Sequence, residues 1–229
     1  RAWPFCTAQE TRRLKHEFWH DRWSEGLIGF NQATANAHLQ RHWPQLGLAP
    51  SARVLVPLCG KSCDLLWLRA QGHAVVGVEF VEQAIHDFFT ENDLAYAPTA
   101  MGWHATDEGP PLTLIHGDFM ALQARQVGPI DAVYDRASIV ALPAALQAAF
   151  AEALAHLVRP GSPGLLLSFE YPPDQRDGPP FSTDHQRLSQ LLAPAFELQA
   201  LETHELPRAD TERFAVDWCR ETIYALRRS

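Results

Sequence analysis

The chain has 229 residues, 46% of them hydrophobic and 20% charged, and carries a formal net charge of −8. That length admits one sizeable α/β domain or two small ones, and an acidic chain without clustered Lys and Arg argues against a nucleic-acid partner. No run of about eighteen apolar residues offers a membrane span, the opening Arg1-Ala-Trp-Pro-Phe-Cys6 lacks a signal-peptide pattern, and Cys6, Cys59, Cys63 and Cys219 match no metal or disulfide framework. The expectation is a cytoplasmic, reduced, single-domain monomer acting on a small molecule.

Residues 1–12 form a weakly patterned lead-in. Leu14, Phe18, Trp19 and Trp23 recur at helical spacing, which predicts a helix ending near Gly26, with Gly29-Phe30 as a turn. Asn31 to Trp43 reads as a second helix, stopped by Pro44 and Gly47. Together these aromatic-rich helices make residues 1–50 an extension ahead of the first strand. Its tryptophans suit either a lid over a ligand or plain packing onto the body.

Within the first helix, His16-Glu17-Phe18-Trp19-His20 matches the H-E-x-x-H zinc pattern. The match is set aside, because it stands ahead of the main βαβ pattern and no third ligand or supporting motif accompanies it. Two surface histidines flanking a buried Phe-Trp pair is the plainer reading.

Arg53-Val-Leu-Val-Pro-Leu-Cys-Gly-Lys-Ser62 organises the rest of the chain. A β-branched, apolar run stops at Pro57 and Gly60, and a helical pattern around Leu65, Leu66 and Leu68 starts at once: strand, tight turn, helix. Gly72-His-Ala-Val-Val-Gly-Val-Glu79 is a second buried-type strand ending in an acid. Glu79 lies about twenty residues beyond the turn glycine, where doubly wound nucleotide-binding folds place the acid that grips a ribose. The turn is not a P-loop, since Leu55 stands where that motif needs glycine, and with Gly60 alone it is not GxGxxG either.

A helix is predicted from Val81 to Asn92, then an irregular stretch over 93–111. Leu112 to His116 is a third strand ending at Gly117-Asp118-Phe119. There the acid can accept from an adenine amino group and the ring can stack on a base, or the pair is an Asx-turn beside a core Phe. Ile130 to Arg136 is a fourth strand. It closes on Asp135-Arg136, at the edge where open parallel sheets bind ligands. A helix over Pro143–Val158, a turn at Arg159-Pro-Gly161 and a fifth strand over Leu165–Phe169 come next. Residues 171–181 are too proline-rich for any element. A helix over Asp184–Leu192 and an antiparallel pair over Phe196–Leu206 and Glu221–Arg227 complete the chain.

Several of these stretches together resemble the thiopurine S-methyltransferase family, especially its bacterial members. They are Phe18-Trp-His-Asp-Arg-Trp23, Ile28-Gly-Phe30, Val56-Pro-Leu-Cys-Gly-Lys-Ser62, Val75-Val-Gly-Val-Glu79, Gly117-Asp-Phe119, Tyr134-Asp-Arg136 and Gly178-Pro-Pro-Phe-Ser182, in order from about residue 15 to 190. The resemblance implies a doubly wound, Rossmann-like α/β fold: a seven-stranded, mostly parallel sheet with one antiparallel strand, under an N-terminal helical lid. It implies S-adenosylmethionine as methyl donor, leaving as S-adenosylhomocysteine. Cofactor contacts would come from Trp19, Trp23, Leu58, Glu79, Asp118, Phe119 and Arg136. Phe30, Arg136 and Arg213 would lie near a thiol, thiopurine or related selenium or tellurium acceptor. Arg136 would be the catalytic residue, steadying a thiolate, with neither metal nor covalent intermediate. On that reading Arg136→Ala damages methyl transfer more than folding. A thiol or halide ion methyltransferase, a non-catalytic cofactor-binding protein and a zinc hydrolase are the alternatives.

Overall fold

The structure is a computed structural model and describes residues 17–229. The lead-in, Cys6, Leu14 and His16 of the H-E-x-x-H match lie outside those residues. Residues 17–24 are helical (α1) and are followed by α2 (Ala37–His42), β1 (Arg53–Val56), α3 (Asp64–Ala70), β2 (Ala74–Glu79) and α4 (Glu82–Glu91). Next come β3 (Tyr96–Thr99), β4 (Gly102–Ala105), β5 (Leu112–His116), α5 (Ala124–Val127), β6 (Ala132–Arg136), α6 (Ala144–Leu157) and β7 (Pro163–Glu170). The chain closes with α7 (His185–Leu192), β8 (Phe196–Glu205), α8 (Arg208–Phe214) and β9 (Arg220–Arg228).

The nine strands among the described residues join one sheet in the order β3-β4-β5-β2-β1-β6-β7-β9-β8. The central strands β5, β2, β1, β6 and β7 run parallel, and β9 runs against both β7 and β8. Successive residues of β1 serve opposite faces: Leu55 joins one apolar cluster, with Phe119, Phe150 and Leu166, while Val54 and Val56 join another, with Leu65, Phe88 and Tyr134. Burial on both faces is why these strands read as continuous apolar runs rather than alternating ones. No helix among the described residues is long and apolar enough to cross a membrane.

The sheet has nine strands, not the expected seven. The seven are present as β5-β2-β1-β6-β7-β9-β8, and a hairpin of β3 and β4 adds two beyond β5, inside the stretch expected to be irregular. Four-residue strands, one with Pro98 inside it, give little sequence signal. Proline is tolerated there because β3 is the sheet's outer edge. The second helix is also shorter than expected. Asn36 is extended and its side chain accepts from the His38 and Leu39 backbone N–H groups, so α2 starts after it rather than at Asn31. Helix α8 was not expected; none of its residues is buried, so it lacks the apolar period that reveals a helix.

Candidate active site

Chain progression runs outward from β1 through β2 to β5, then restarts on the other side of β1 with β6 and β7. The crevice beyond the carboxyl ends of β1 and β6 is thus the topological switch point, where doubly wound sheets bind ligands. A cavity of about 490 Å³ opens there. Its floor is the turn after β1 (Leu58, Cys59, Gly60) and the turn after β6 (Arg136, Ala137). One wall is the extension, through Trp19, Trp23 and Phe30, and the opposite wall carries Arg176, Arg213, Phe214 and Glu221.

The backbone is constrained at both floor turns. Leu58 and Ala137 hold φ of 43° and 67°, in the left-handed region that costs an ordinary residue about 1–3 kcal/mol. Gly60, at φ 54°, has a further reason to be glycine, because a Cβ there would lie 3.3 Å from the Trp23 ring. Keeping the turn bare lets the buried Trp23 indole lie directly over it.

Glu79 ends β2 with its carboxylate aimed back under this turn. Its Oε2 accepts the Gly60 N–H at 2.9 Å, and Oε1 accepts the Phe80 and Val81 N–H groups at 2.9 and 2.8 Å. Burial pushes its pKa up, against the pull of those three donors. A carboxylate offers about four acceptor directions, so three N–H bonds leave capacity for a hydroxyl from the cavity.

Arg136 stands across the floor. Its Nε is 2.8 Å from Asp64 Oδ2 and its guanidinium donates to Ser62 Oγ at 3.3 Å. Asp64 is buried and also accepts the Tyr134 hydroxyl at 3.1 Å and the Asn36 N–H at 2.7 Å. One acid therefore fixes Arg136, the core tyrosine of β6 and the residue that caps α2. Burial, and next the Asp64 charge, push the Tyr134 phenol well up, so it stays a neutral donor.

Asp135 is not a partner of Arg136 in the site. Neighbours on a strand point to opposite faces. Asp135 is fully buried, accepts the Ser138 N–H at 3.0 Å and does not border the cavity. Its burial pushes the pKa up to about 6.

The aromatic wall is mutually packed. Phe30 meets Trp19 and Trp23 edge-on at ring-centroid distances of 5.4 and 5.9 Å. The adjacent Gly29 carbonyl accepts from Arg213 at 2.8 Å, and Arg213 and Arg176 both lie over the Phe214 ring, at 5.3 and 5.4 Å. The proline-rich loop before α7 contributes Pro179 and Pro180 to the lining.

Trp19, Trp23, Phe30, Leu58, Glu79, Arg136 and Arg213 thus border a single cavity. Asp118 and Phe119 do not reach it; they border a narrow adjoining pocket of about 40 Å³ that shares Trp19, Leu58 and Phe80 with it. There Asp118 accepts the Met120 N–H at 2.9 Å, as an Asx-turn does, and Phe119 packs on Phe150 within the core. His20 is exposed, with its ring edge-on to Phe80, and Phe18 and Trp19 are half-buried rather than buried. Cys59 is buried and its thiol is pushed well up by burial, which makes it a poor nucleophile.

Four contributors were not singled out from the sequence: Asp64, Tyr134, Arg176 and Glu221. Asp64 had the best signal, an acid opening a helix between the turn and an apolar face. Glu221 lies within a strand read only for its pairing. Burial raises its pKa while Arg136 pulls the other way.

The donor set suits a zwitterionic nucleoside bearing a sulfonium: a ribose acceptor at Glu79, aromatic faces for a cation, and guanidinium groups for a carboxylate. Comparison with known proteins points the same way. The chain is 40% identical over 217 residues to a thiopurine S-methyltransferase of Azotobacter vinelandii, covering 94% of this chain and 100% of that one. It is 40% identical over 219 residues to another from Pseudomonas fluorescens, covering 93% and 99%. Among solved structures, a Burkholderia thailandensis 1,6-didemethyltoxoflavin-N1-methyltransferase with bound S-adenosylhomocysteine matches at TM-score 0.67 and 17% identity, over 100% of this chain and 93% of that one. That likeness speaks for the fold. With relatives matched along nearly their whole length, and the thiopurine S-methyltransferase family profile matching residues 14–229, the chain belongs to the thiopurine S-methyltransferase family.

Proposed function

We infer that this protein is an enzyme that transfers a methyl group from S-adenosylmethionine to a sulfur acceptor, with thiopurines and aryl thiols as the acceptor class. The observation that carries this reading is the meeting of Glu79 and Arg136 on the floor of one aromatic-walled cavity at the switch point of the sheet. The cofactor supplies an electrophilic methyl group on a sulfonium sulfur, and the protein has to hold, align and shield.

Glu79 takes a ribose hydroxyl, Leu58 and Gly60 support the nucleoside from the turn, and Asp118 and Phe119 border its adenine end. Arg136 faces the acceptor. Two of its five N–H donors are committed to Asp64 and Ser62, and the rest remain to steady a thiolate. An acidic thiol is already partly ionised, so no strong general base is needed. Alignment of the attacking sulfur with the methyl–sulfur bond supplies most of the acceleration, on the order of 7 kcal/mol or more in favourable cases. Residues 17–31 act as a lid: Trp19, Trp23 and Phe30 form one wall, and Arg213 ties their turn to the opposite one.

Turnover of thiopurines, aryl thiols, selenite and iodide with labelled donor tests this. Methylation of the thiols and thiopurines is expected. Cofactor binding without turnover on any of them would overturn the enzymatic reading, and turnover confined to iodide would move the acceptor class to halides.

A further inference from the structure

Away from the cavity, three imidazoles converge on one carboxylate where α2 crosses the edge strand β8. His38 and His42 are four residues apart and so share a face of α2. Glu202 and His204 are two apart on β8 and so share a face of the strand. The pairing of β8 with β9 slips between Ala200 and Glu202, a bulge of the kind that re-aims the side chains beyond it.

The result is compact. Glu202 Oε2 is 2.8 Å from His42 Nε2 and 4.0 Å from His38 Nδ1, and one ligand atom from each of the three residues lies within 4.8 Å of the others. His204 Nε2 is 3.0 Å from Glu202 Oε1, and the His38 and His204 rings lie 4.6 Å apart between centroids. His42 Nδ1 is buried with no hydrogen bond among the described residues.

Charge pairing alone does not account for this cluster. Arg41, with its side chain 63% exposed, already reaches Glu202 Oε1 at 2.8 Å and neutralises it. The three imidazoles come in addition, with the His38 and His204 rings against each other, which is costly if they are protonated and favourable if imidazole lone pairs share a cation.

We propose that His38, His42 and Glu202 form a binding site for one divalent transition-metal ion of the zinc class, with His204 supporting it from beside Glu202. Imidazole nitrogens with a single carboxylate oxygen suit Zn²⁺ or Co²⁺, whereas Ca²⁺ and Mg²⁺ prefer all-oxygen sets. None of the four residues borders the cavity, so the site is structural. It fastens α2 to a strand about 160 residues further along the chain.

The test uses the full chain stripped of metal with a chelator, titrated with Zn²⁺ by calorimetry and with Co²⁺ by visible absorption. One Zn²⁺ per chain is expected, with a Co²⁺ spectrum of the intensity that four-coordinate sites give. His38→Gln and His204→Gln should each weaken Zn²⁺ binding by about tenfold or more, with basal methyl transfer unchanged. His20→Gln should leave the affinity unaltered. If either of the first two variants fails to fold by circular dichroism, Glu202→Gln replaces it with the same expectation. Absence of saturable Zn²⁺ binding, or saturable binding that these variants leave intact, would overturn the proposal, as would loss of binding in His20→Gln alone.

Discussion

Glu79 keeps its carboxylate where burial works against the charge, and three backbone N–H groups hold it in place. Glu79→Gln removes the charge and turns an amide donor toward some of those donors. Hydrogen bonds to charged groups contribute about 1.5–3 kcal/mol, so affinity for S-adenosylhomocysteine should fall about 10- to 100-fold by calorimetry. Arg136 needs a gentler substitution than the sequence suggested. Arg136→Ala would strand the Asp64 carboxylate, 2% exposed, and breaking a buried pair from one side costs about 3–5 kcal/mol. Folding and catalysis would then fail together. Arg136→Lys keeps the charge and loses the planar fork. It should stay folded while kcat/KM for a thiol acceptor drops about 10- to 100-fold, and an unchanged kcat/KM would remove Arg136 from the site. Asp135 gives a test of the opposite sign. Its folded pKa of about 6 lies above the ordinary 3.8, so the penalty for burying the carboxylate grows as pH rises from about 4 to about 6 and is complete above that. Asp135→Asn keeps the acceptor for the Ser138 N–H. It should therefore gain on the wild type by about 1–3 kcal/mol at pH 8 and lose that advantage by pH 4, read from urea midpoints. Glu79 was legible because its spacing from the turn is a property of the chain. Asp64 was not, because what makes it important is burial beside Arg136 and Tyr134, which only the folded sheet creates.

The strands most directly legible in the sequence, β1, β2 and β6, are buried along almost their whole length, and the Ala/Leu helix α6 carries its buried residues at helical spacing. The β3–β4 hairpin escaped because its four-residue strands sit at the rim, one exposed to intermediate and one intermediate throughout, with no alternation to read. Its attachment rests on Gly102. That residue holds φ at 153°, and a Cβ there would come within 2.1 Å of the Leu114 carbonyl oxygen and 3.0 Å of the His116 nitrogen. Gly102→Ala forces β4 away from β5, at a cost typical of backbone-strained substitutions, about 1–3 kcal/mol. Hydrogen exchange should show lost protection across 96–105 while cofactor affinity holds, because neither strand borders the cavity. Lost cofactor binding would mean that the hairpin supports the site. The closing pair β8 and β9 was legible from its composition; the bulge near Glu202, which aims His204 and Glu202 at α2, was not, since a bulge leaves no residue signature of its own here.

At the scale of the whole molecule, three parts of the cavity lie far apart in the chain: the extension at 19–32, the strand ends at 56–64, 79–80, 134–141 and 167–169, and the C-terminal segment at 206–221, with Arg176, Pro179 and Pro180 added by the proline-rich loop. The strand ends are fixed by the parallel ladder, but the other two meet across the opening mainly through Arg213 on the Gly29 carbonyl and the aromatic contacts around Phe30. Contacts of that kind open at low cost, so a ligand filling the cavity should stabilise both stretches more than it stabilises the sheet. S-adenosylhomocysteine at about a hundredfold excess over its Kd adds about 2.7 kcal/mol, which for a chain of this size raises the unfolding midpoint by about 5–10 °C. Hydrogen exchange should place the new protection at 17–31 and 206–214. Protection confined to the strand ends, with 17–31 exchanging as in the free protein, would reduce the extension to packing and leave the methyl-transfer site without a lid.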